Sequence, residues 1–504
     1  MLSQSITVKF LKVIRNKFQD SAVFGCFMTF IQFILKTYQT SFLKKYIDSP
    51  SFFNSKWNIS FFAGIFDKIY LFISGIIIKT GKIIKKIINN SLIGVLYRKI
   101  SKKIKYHQVL SLVFGVIFLI YSEWWNNMYA AAAGIVLLLF LIYKSKNTPL
   151  LPSKIDFFMV LFIVSMLLGI VAANNKTDAI RIFIIAVSAL IFHLCTLTAL
   201  NTDKKITDFL KIISVMISLT AVIAIIQRIA GIEVDPEFVD LANNEGMPGR
   251  VFSTMENPNN YAELLVLFMP FMFALFVNET KVKLKVFWGI LAVVSFIALA
   301  MTYSRSCYIA IAIATVVFLL VYNYKLILPV VILAIFAIPF LPETIFNRIL
   351  TIGSLSDSSN SYRLYIWDAC VHLIGNYGIS GLGIGPEAFT SFYKPIAHTH
   401  AIKAPHSHML YLELILEYGI VGLIGFMGYY IRLIRNGFKS VKLANSKQKA
   451  YLGAGIGVLL GISFVCMAEY IWFYPRDMFA HFIVMGVLAA IVRNIFTKRN
   501  GEIK

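Results

Sequence analysis

The stretch Ala404-Pro-His-Ser-His-Met-Leu-Tyr-Leu-Glu-Leu-Ile-Leu-Glu-Tyr-Gly-Ile-Val-Gly422 sets two histidines at the mouth of an apolar run that continues to about Tyr430. A run of that length can cross a bilayer, which needs about 20 predominantly apolar residues. Inside it, Glu413 and Glu417 stand one helical turn apart, and hydrocarbon forces such carboxylates toward a protein interior. The stretch therefore reads as a membrane helix packed among others, with ionisable groups at its entrance.

Working outward, 58% of the chain is hydrophobic and 14% charged, and the mean hydropathy is +0.74. That leaves too little polar surface to cover a soluble globule. The expected fold is an all-α polytopic membrane protein with about 12 transmembrane helices, at roughly 109–122, 128–143, 156–173, 178–199, 208–230, 260–278, 285–302, 306–322, 325–341, 408–431, 450–469 and 477–494. The loops alternate in charge. Basic ones (144–146, 204–205, 281–285, Lys325, 432–449 and 493–504) form one set, and acidic or neutral ones (123–127, 173–178, 233–245, 302–306, 342–407 and 469–477) form the other. Basic loops stay inside, so both termini are expected in the cytoplasm. The organisation that follows is a basic cytoplasmic or interfacial region at 1–107, spans one to nine within 108–341, an extracytoplasmic catalytic loop at 342–407, spans ten to twelve within 408–495, and a cytoplasmic tail at 496–504. An outward segment of about 65 residues exceeds ordinary connections, which marks it as functional.

The net charge of +23 does not indicate nucleic acid, because the basic residues gather between apolar runs. Residues 1–107 alone carry +15 of it, and Ile83 to Ile104 alternate apolar and lysine-rich faces at helical spacing. Anionic lipids of the inner leaflet are the expected partner of this region. A short apolar run at 23–35 lacks a small-residue cleavage site, so insertion is expected to rely on internal spans. The five cysteines are scattered, without the spacing of a zinc site or disulfide framework, and are expected to pack.

Arg305 is the polar break in an apolar run from about Val286 to Leu320, which places it at an outward hairpin suited to an anionic ligand. Arg363 and Trp367 are four residues apart and share a helix face, offering a planar fork to phosphate and a flat ring to a sugar. Arg250 is a third outward arginine. His408 opens a span, where the helix dipole favours a neutral imidazole able to accept a proton. His406, His398 and His400 lie near it, but no carboxylate at ligand spacing completes a metal set, so neither metal nor cofactor is expected. Glu413 and Glu417 are expected to orient a histidine or pair with an arginine. The glycines at 381, 383 and 385 follow no strand and read as a turn rather than a phosphate cradle.

From His408 the spacing is one residue, then nine to Gly419, then two to Gly422; with Thr302 to Ser306, Arg363 and Trp367 ahead of it, this resembles the O-antigen ligase and Wzy-type polysaccharide polymerase superfamily. The resemblance spans about residues 240–430. It implies a GT-C-like membrane glycosyltransferase acting without a metal at the outer face of the cytoplasmic membrane. Its donor would be an undecaprenyl-diphosphate-linked glycan and its acceptor a glycan or lipid. Arg305 and Arg363 would hold the diphosphate and His408 would deprotonate the acceptor hydroxyl, with Arg250, Trp367, His406, Glu413 and Glu417 contributing to substrate binding. The position after the histidine usually carries Asn, Ser or Gln in that superfamily, whereas here it is Met409. A lipid-linked oligosaccharide flippase or another 12-span transporter is the alternative. Transporters usually carry internal repeats and midplane charges, and here the ionisable groups gather in the outward loops.

Overall fold

The computed structural model describes residues 59–89, 105–144, 156–232, 249–352 and 358–502, with a few isolated positions before 59. Among them there is helix and no strand. The amphipathic pattern at 83–104 lies partly, and the acidic run at 233–245 wholly, outside the described residues.

In chain order the helices are α1 Phe61–Asn89, α2 Tyr106–Leu119, α3 Asn127–Lys144, α4 Phe157–Ala172, α5 Lys176–Ala199, α6 Asp203–Ile229, α7 Pro258–Asn278 and α8 Val282–Met301. They continue with α9 Arg305–Asn323, α10 Ile327–Ala337, α11 Glu343–Leu350, α12 Ser358–Tyr377, α13 Pro386–Tyr393, α14 Leu410–Val441, α15 Ser446–Val465 and α16 Pro475–Glu502. Each of the twelve apolar runs coincides with a helix. Among the described residues eight helical segments are long and apolar enough to cross a membrane, and α2, α3 and α4 are shorter apolar helices.

One of the eight, Arg305–Phe340, is 36 residues long and folds back on itself. A straight helix of that length would span about 54 Å. Yet Arg348, beyond its end, donates from Nε to the Tyr303 carbonyl at 3.1 Å, and Arg305 donates to the Thr351 carbonyl at 3.1 Å. The chain turns at the short helix Tyr324–Leu326 and returns.

Cap residues set several helix starts. Asn257 accepts from the Asn259 and Asn260 amides while Pro258 fills the first turn of α7, where no amide is missed. Helices α7, α15 and α16 form the buried centre, and α8 and α9–α10 keep more of their apolar surface outside. Gly453, Gly457 and Gly461 of α15 lie along α9. A Cβ at Gly457 would come within 2.5 Å of the Ala314 carbonyl and one at Gly461 within 2.4 Å of the Ala310 carbonyl. Small residues at four-residue spacing let the two backbones approach, the usual way helices bind in lipid.

The loops of each charge class meet at their own end of the bundle. At the basic end Lys498 and Gln448 both bond Asp203, and Asn278 bonds the Lys447 carbonyl. At the other end Asn174 bonds Ser391, Asn259 bonds Glu469, and Arg476 bonds Glu256.

Gly419 interrupts α14 with φ 70° and ψ 176°, a left-handed, extended break no other residue type adopts cheaply. Into the gap enters the segment 378–385. The Leu382 amide donates to the Leu416 carbonyl at 2.6 Å, and the Ile420 amide to the Gly378 carbonyl at 2.7 Å. Gly419→Ala would set a Cβ 2.2 Å from the Ile379 carbonyl oxygen. It is expected to cost about 2 kcal/mol or more, seen as a clear drop in melting temperature in detergent. Gly375→Ala, which meets open space on α12, should leave melting unchanged or raise it. Equal melting of the two variants would mean that the break at 419 does not hold the 378–385 segment.

Candidate active site

The site is assembled at the acidic end of the bundle from five segments: 249–260, 301–305, α12, 404–410 and 466–474. Its centre is Glu469, in the turn between α15 and α16. The carboxylate accepts from Arg363 Nη2 at 2.5 Å and from Asn259 Nδ2 at 3.3 Å, and its other oxygen stands 3.7 Å from His408 Nδ1. Asn259 in turn accepts from Arg250 Nη2 at 2.5 Å, and Arg250 Nε donates to the Thr302 carbonyl at 2.7 Å. Arg250 and Arg348 lie close enough for their charges to act on each other. The group thus holds Arg363 on Glu469 and Arg250 one asparagine away, with Arg348 beside Arg250 and a second acid, Glu263 of α7, close enough to act on both Glu469 and Arg363.

Electrostatics fix the protonation states. Burial favours the neutral acid of Glu469, but Arg363, and then His408 and His406, hold it down from an ordinary 4.5 to about 2. Desolvation, followed by the charge of Arg348, lowers Arg250 to about 10, so it stays charged at neutral pH. Burial and the neighbouring His408 push His406 well below its ordinary value, so it is neutral.

The two histidines face different tasks. His406 Nδ1 accepts the His408 backbone amide at 3.0 Å, which leaves its only proton on Nε2. His408 turns Nδ1 toward Glu469; a proton held there leaves Nε2 as an acceptor. The pair stands at ion-pair rather than hydrogen-bond distance, and a closer approach of the two groups would give the histidine–carboxylate arrangement of a general base. The rings lie tilted against each other at 4.1 Å between centroids, and Tyr362 closes the His408 side at 5.9 Å.

Backbone strain surrounds this group. Among the described residues, the non-glycine positions with positive φ are Ser253 (56°), Tyr303 (55°) and His408 (51°), one in each of three site segments. Each costs about 1 to 3 kcal/mol and persists only where neighbours impose it. The neighbours are visible. Gln227 brackets Ser253 with two 2.7 Å bonds, and Ser407, just before His408, donates its amide to Glu413 at 2.7 Å and accepts at its carbonyl from Trp367 Nε1 at 3.0 Å.

Of the residues expected from sequence, the structure joins His408, Arg363 and Arg250 in one network and places His406 against it. Trp367 and Glu413 act as a frame for the histidine loop rather than facing the cluster. Glu417 likewise holds the Gly385 amide at 3.2 Å and the Tyr470 hydroxyl at 3.1 Å. Arg305 stands apart from the Glu469 cluster in its described contacts, donating to Thr351 at the rim. Glycines 381, 383 and 385 form the expected turn, all at positive φ. Glu469 and Arg348 were not expected. The signal for Glu469 was a lone carboxylate in a short, otherwise apolar turn between two spans; Arg348 carried none, being one more loop arginine.

The ion pair predicts a pH dependence of stability. The folded-state value of Glu469 lies below its unfolded one, so its contribution is complete above about pH 4.5 and is lost as pH falls toward 2. Wild type should therefore melt above Glu469→Gln at neutral pH, and the difference should shrink on acidification in detergent. A difference constant from about pH 7 to about pH 3 would remove the pair from the stability of the fold.

No curated protein matches the chain. Residues 290–427 match the model of the O-antigen ligase family, a segment that contains Arg305, Arg363 and His408. Over this segment, about a quarter of its length, the multi-pass membrane protein described here is similar to the O-antigen ligase family.

Proposed function

We propose that this protein is a membrane glycosyltransferase that takes glycan from an undecaprenyl-diphosphate-linked donor at the outer face of the cytoplasmic membrane and joins it to a glycan or lipid acceptor. The observation that carries this reading is the Arg363–Glu469–His408 constellation, which sets phosphate-binding and proton-accepting groups on one carboxylate. Arg363, Arg250 and Arg348 outnumber the two acids beside them, Glu469 and Glu263, so the cluster keeps positive charge for a diphosphate. Arg305 at the rim receives the same anion as it enters. In the reaction the acceptor hydroxyl oxygen bonds to the anomeric carbon of the donor while the bond from that carbon to the diphosphate oxygen breaks. The hydroxyl proton passes to His408 Nε2, and the leaving undecaprenyl diphosphate is stabilised by the guanidinium ions. Because arginines supply the charge that a metal would, transfer is expected to persist in chelator.

Outward orientation follows from the charge of the loops. With the described cysteines buried, an introduced Thr399→Cys should label with an impermeant reagent in intact cells, and Lys447→Cys only after permeabilisation. The reverse result would put the site in the cytoplasm and end this reading.

Arg363→Ala and His408→Ala are expected to lose about a hundredfold or more in transfer while inserting normally. Lys at 363 should restore little, since it lacks the bidentate fork. Arg305→Ala should be milder than Arg363→Ala, because its site is at the rim. His406→Ala should also be milder than His408→Ala, since its Nδ1 already accepts a backbone amide. The measurement is transfer in detergent with chelator present. An inactive His406→Ala beside an active His408→Ala would reverse the base assignment.

A further inference from the structure

The histidine loop has a second side. A cavity of about 230 Å³ lies between the start of α5, the first turns of α14 and the 470–478 segment, and His406 forms part of its wall. Its character is opposite to that of the arginine cluster. Asp178, Glu413 and Glu417 line it with Arg181 as the cation, and Tyr470 and Trp472 supply aromatic surface. Within it Asp178 Oδ2 is buried and has no hydrogen-bond partner, although the residue as a whole is only part-buried.

We propose that this cavity is the acceptor subsite and that it takes one sugar ring of the acceptor glycan, neutral or cationic. The proposal rests on the transferase reading above. A lining of three acidic side chains with a single arginine offers little to a second diphosphate, whereas carboxyl oxygens accept from sugar hydroxyls or an amino group and aromatic faces pack on the C–H face of a ring. The volume lies just under the ~300 Å³ at which ordinary ligand pockets begin, which suits a single ring better than a longer glycan. Position supports the same assignment. The wall residue His406 lies against His408 at 4.1 Å between ring centroids, so a ring seated here has the base one imidazole away, with the donor arginines beyond it. Asp178 is then a specificity residue that supplies an unused acceptor to the bound ring.

The test uses full-length protein in detergent, with Asp178→Asn and Ile182→Trp, the latter placing an indole in the cavity wall. Three readouts are needed: binding of undecaprenyl diphosphate, transfer using lipid-linked glycan extracted from host cells lacking this protein, and melting temperature. Both variants are expected to bind undecaprenyl diphosphate within about twofold of wild type and to transfer about tenfold or more slowly at limiting extract. Asp178→Asn should recover as extract is raised, a KM effect, while Ile182→Trp should not. Wild-type transfer by both variants, or parallel loss of undecaprenyl diphosphate binding, overturns the assignment. Asp178→Asn, a near-isosteric change at a part-exposed helix start, keeps the test valid if the tryptophan variant melts early. Full undecaprenyl diphosphate binding by Arg363→Ala would instead sink the donor assignment, separately from the cavity.

Discussion

The carboxylate of Glu469 is the constraint on which the site depends. A negative charge in a largely buried turn is costly unless compensated, and truncating one partner of such a pair leaves the other exposed to the full desolvation cost. Arg363, Asn259 and His408 come from three separate parts of the chain; one oxygen of Glu469 holds the first two, and the other faces His408. Without Glu469 the neighbouring charges of Arg250 and Arg348 would lose a compensating anion, and His408 Nδ1 would face no carboxylate. The ion pair also sets a condition on ligand binding. An anion entering the cluster competes with Glu469 for Arg363, so affinity comes from the excess of arginines over carboxylates rather than from Arg363 alone.

Helix α14 shows how a membrane bundle makes room for such chemistry. Non-helical backbone at membrane depth is tolerated only when protein satisfies its polar groups. Here the break at Gly419 exposes the Leu416 carbonyl and the Ile420 amide, and the 378–385 turn satisfies both. Glu417, just before the break, takes the Gly385 amide, so the turn is fixed at both edges. The strained φ values at Ser253, Tyr303 and His408 are held by the same means, with side chains of neighbouring helices bonding the loop backbone. Precision at the site is therefore borrowed from the helices, which are rigid, and not from the loops.

Much of this was legible in sequence, for physical reasons. Apolar runs must be helices in lipid, so each of the twelve read from the sequence meets one in the structure. Their number as true crossings is harder to read, because α2, α3 and α4 are short and α9 and α10 form one folded-back run. His408, Arg363 and Arg250 were legible because a charge or imidazole at a membrane boundary is costly and stands out. Partnership was not. Glu469 lies 61 positions after His408 and 106 after Arg363, and nothing local links a carboxylate to a histidine across a bundle. Glu413 and Glu417 were read as groups for a histidine or arginine because buried acids need partners; the partners turned out to be backbone amides and a tyrosine, which no spacing rule reveals.

The boundary of the family match carries its own lesson about this architecture. Residues 290–427 include the arginine, the histidine and both α14 carboxylates, but Glu469, Asn259 and Arg250 fall outside. The matched segment is thus not a unit that can work alone. Its histidine loop is closed by the α15–α16 turn, where the Leu410 amide donates to the Cys466 and Glu469 carbonyls at 3.0 and 3.2 Å. Its first helix of the site, α9, packs along the glycines of α15. Because α15 provides both that packing surface and the helix end that carries Glu469, the crossing that holds the bundle together also positions the carboxylate. Any sequence drift that slides α9 along α15 must therefore move Glu469 relative to the 301–305 segment, which couples the packing of the bundle directly to the geometry of the site.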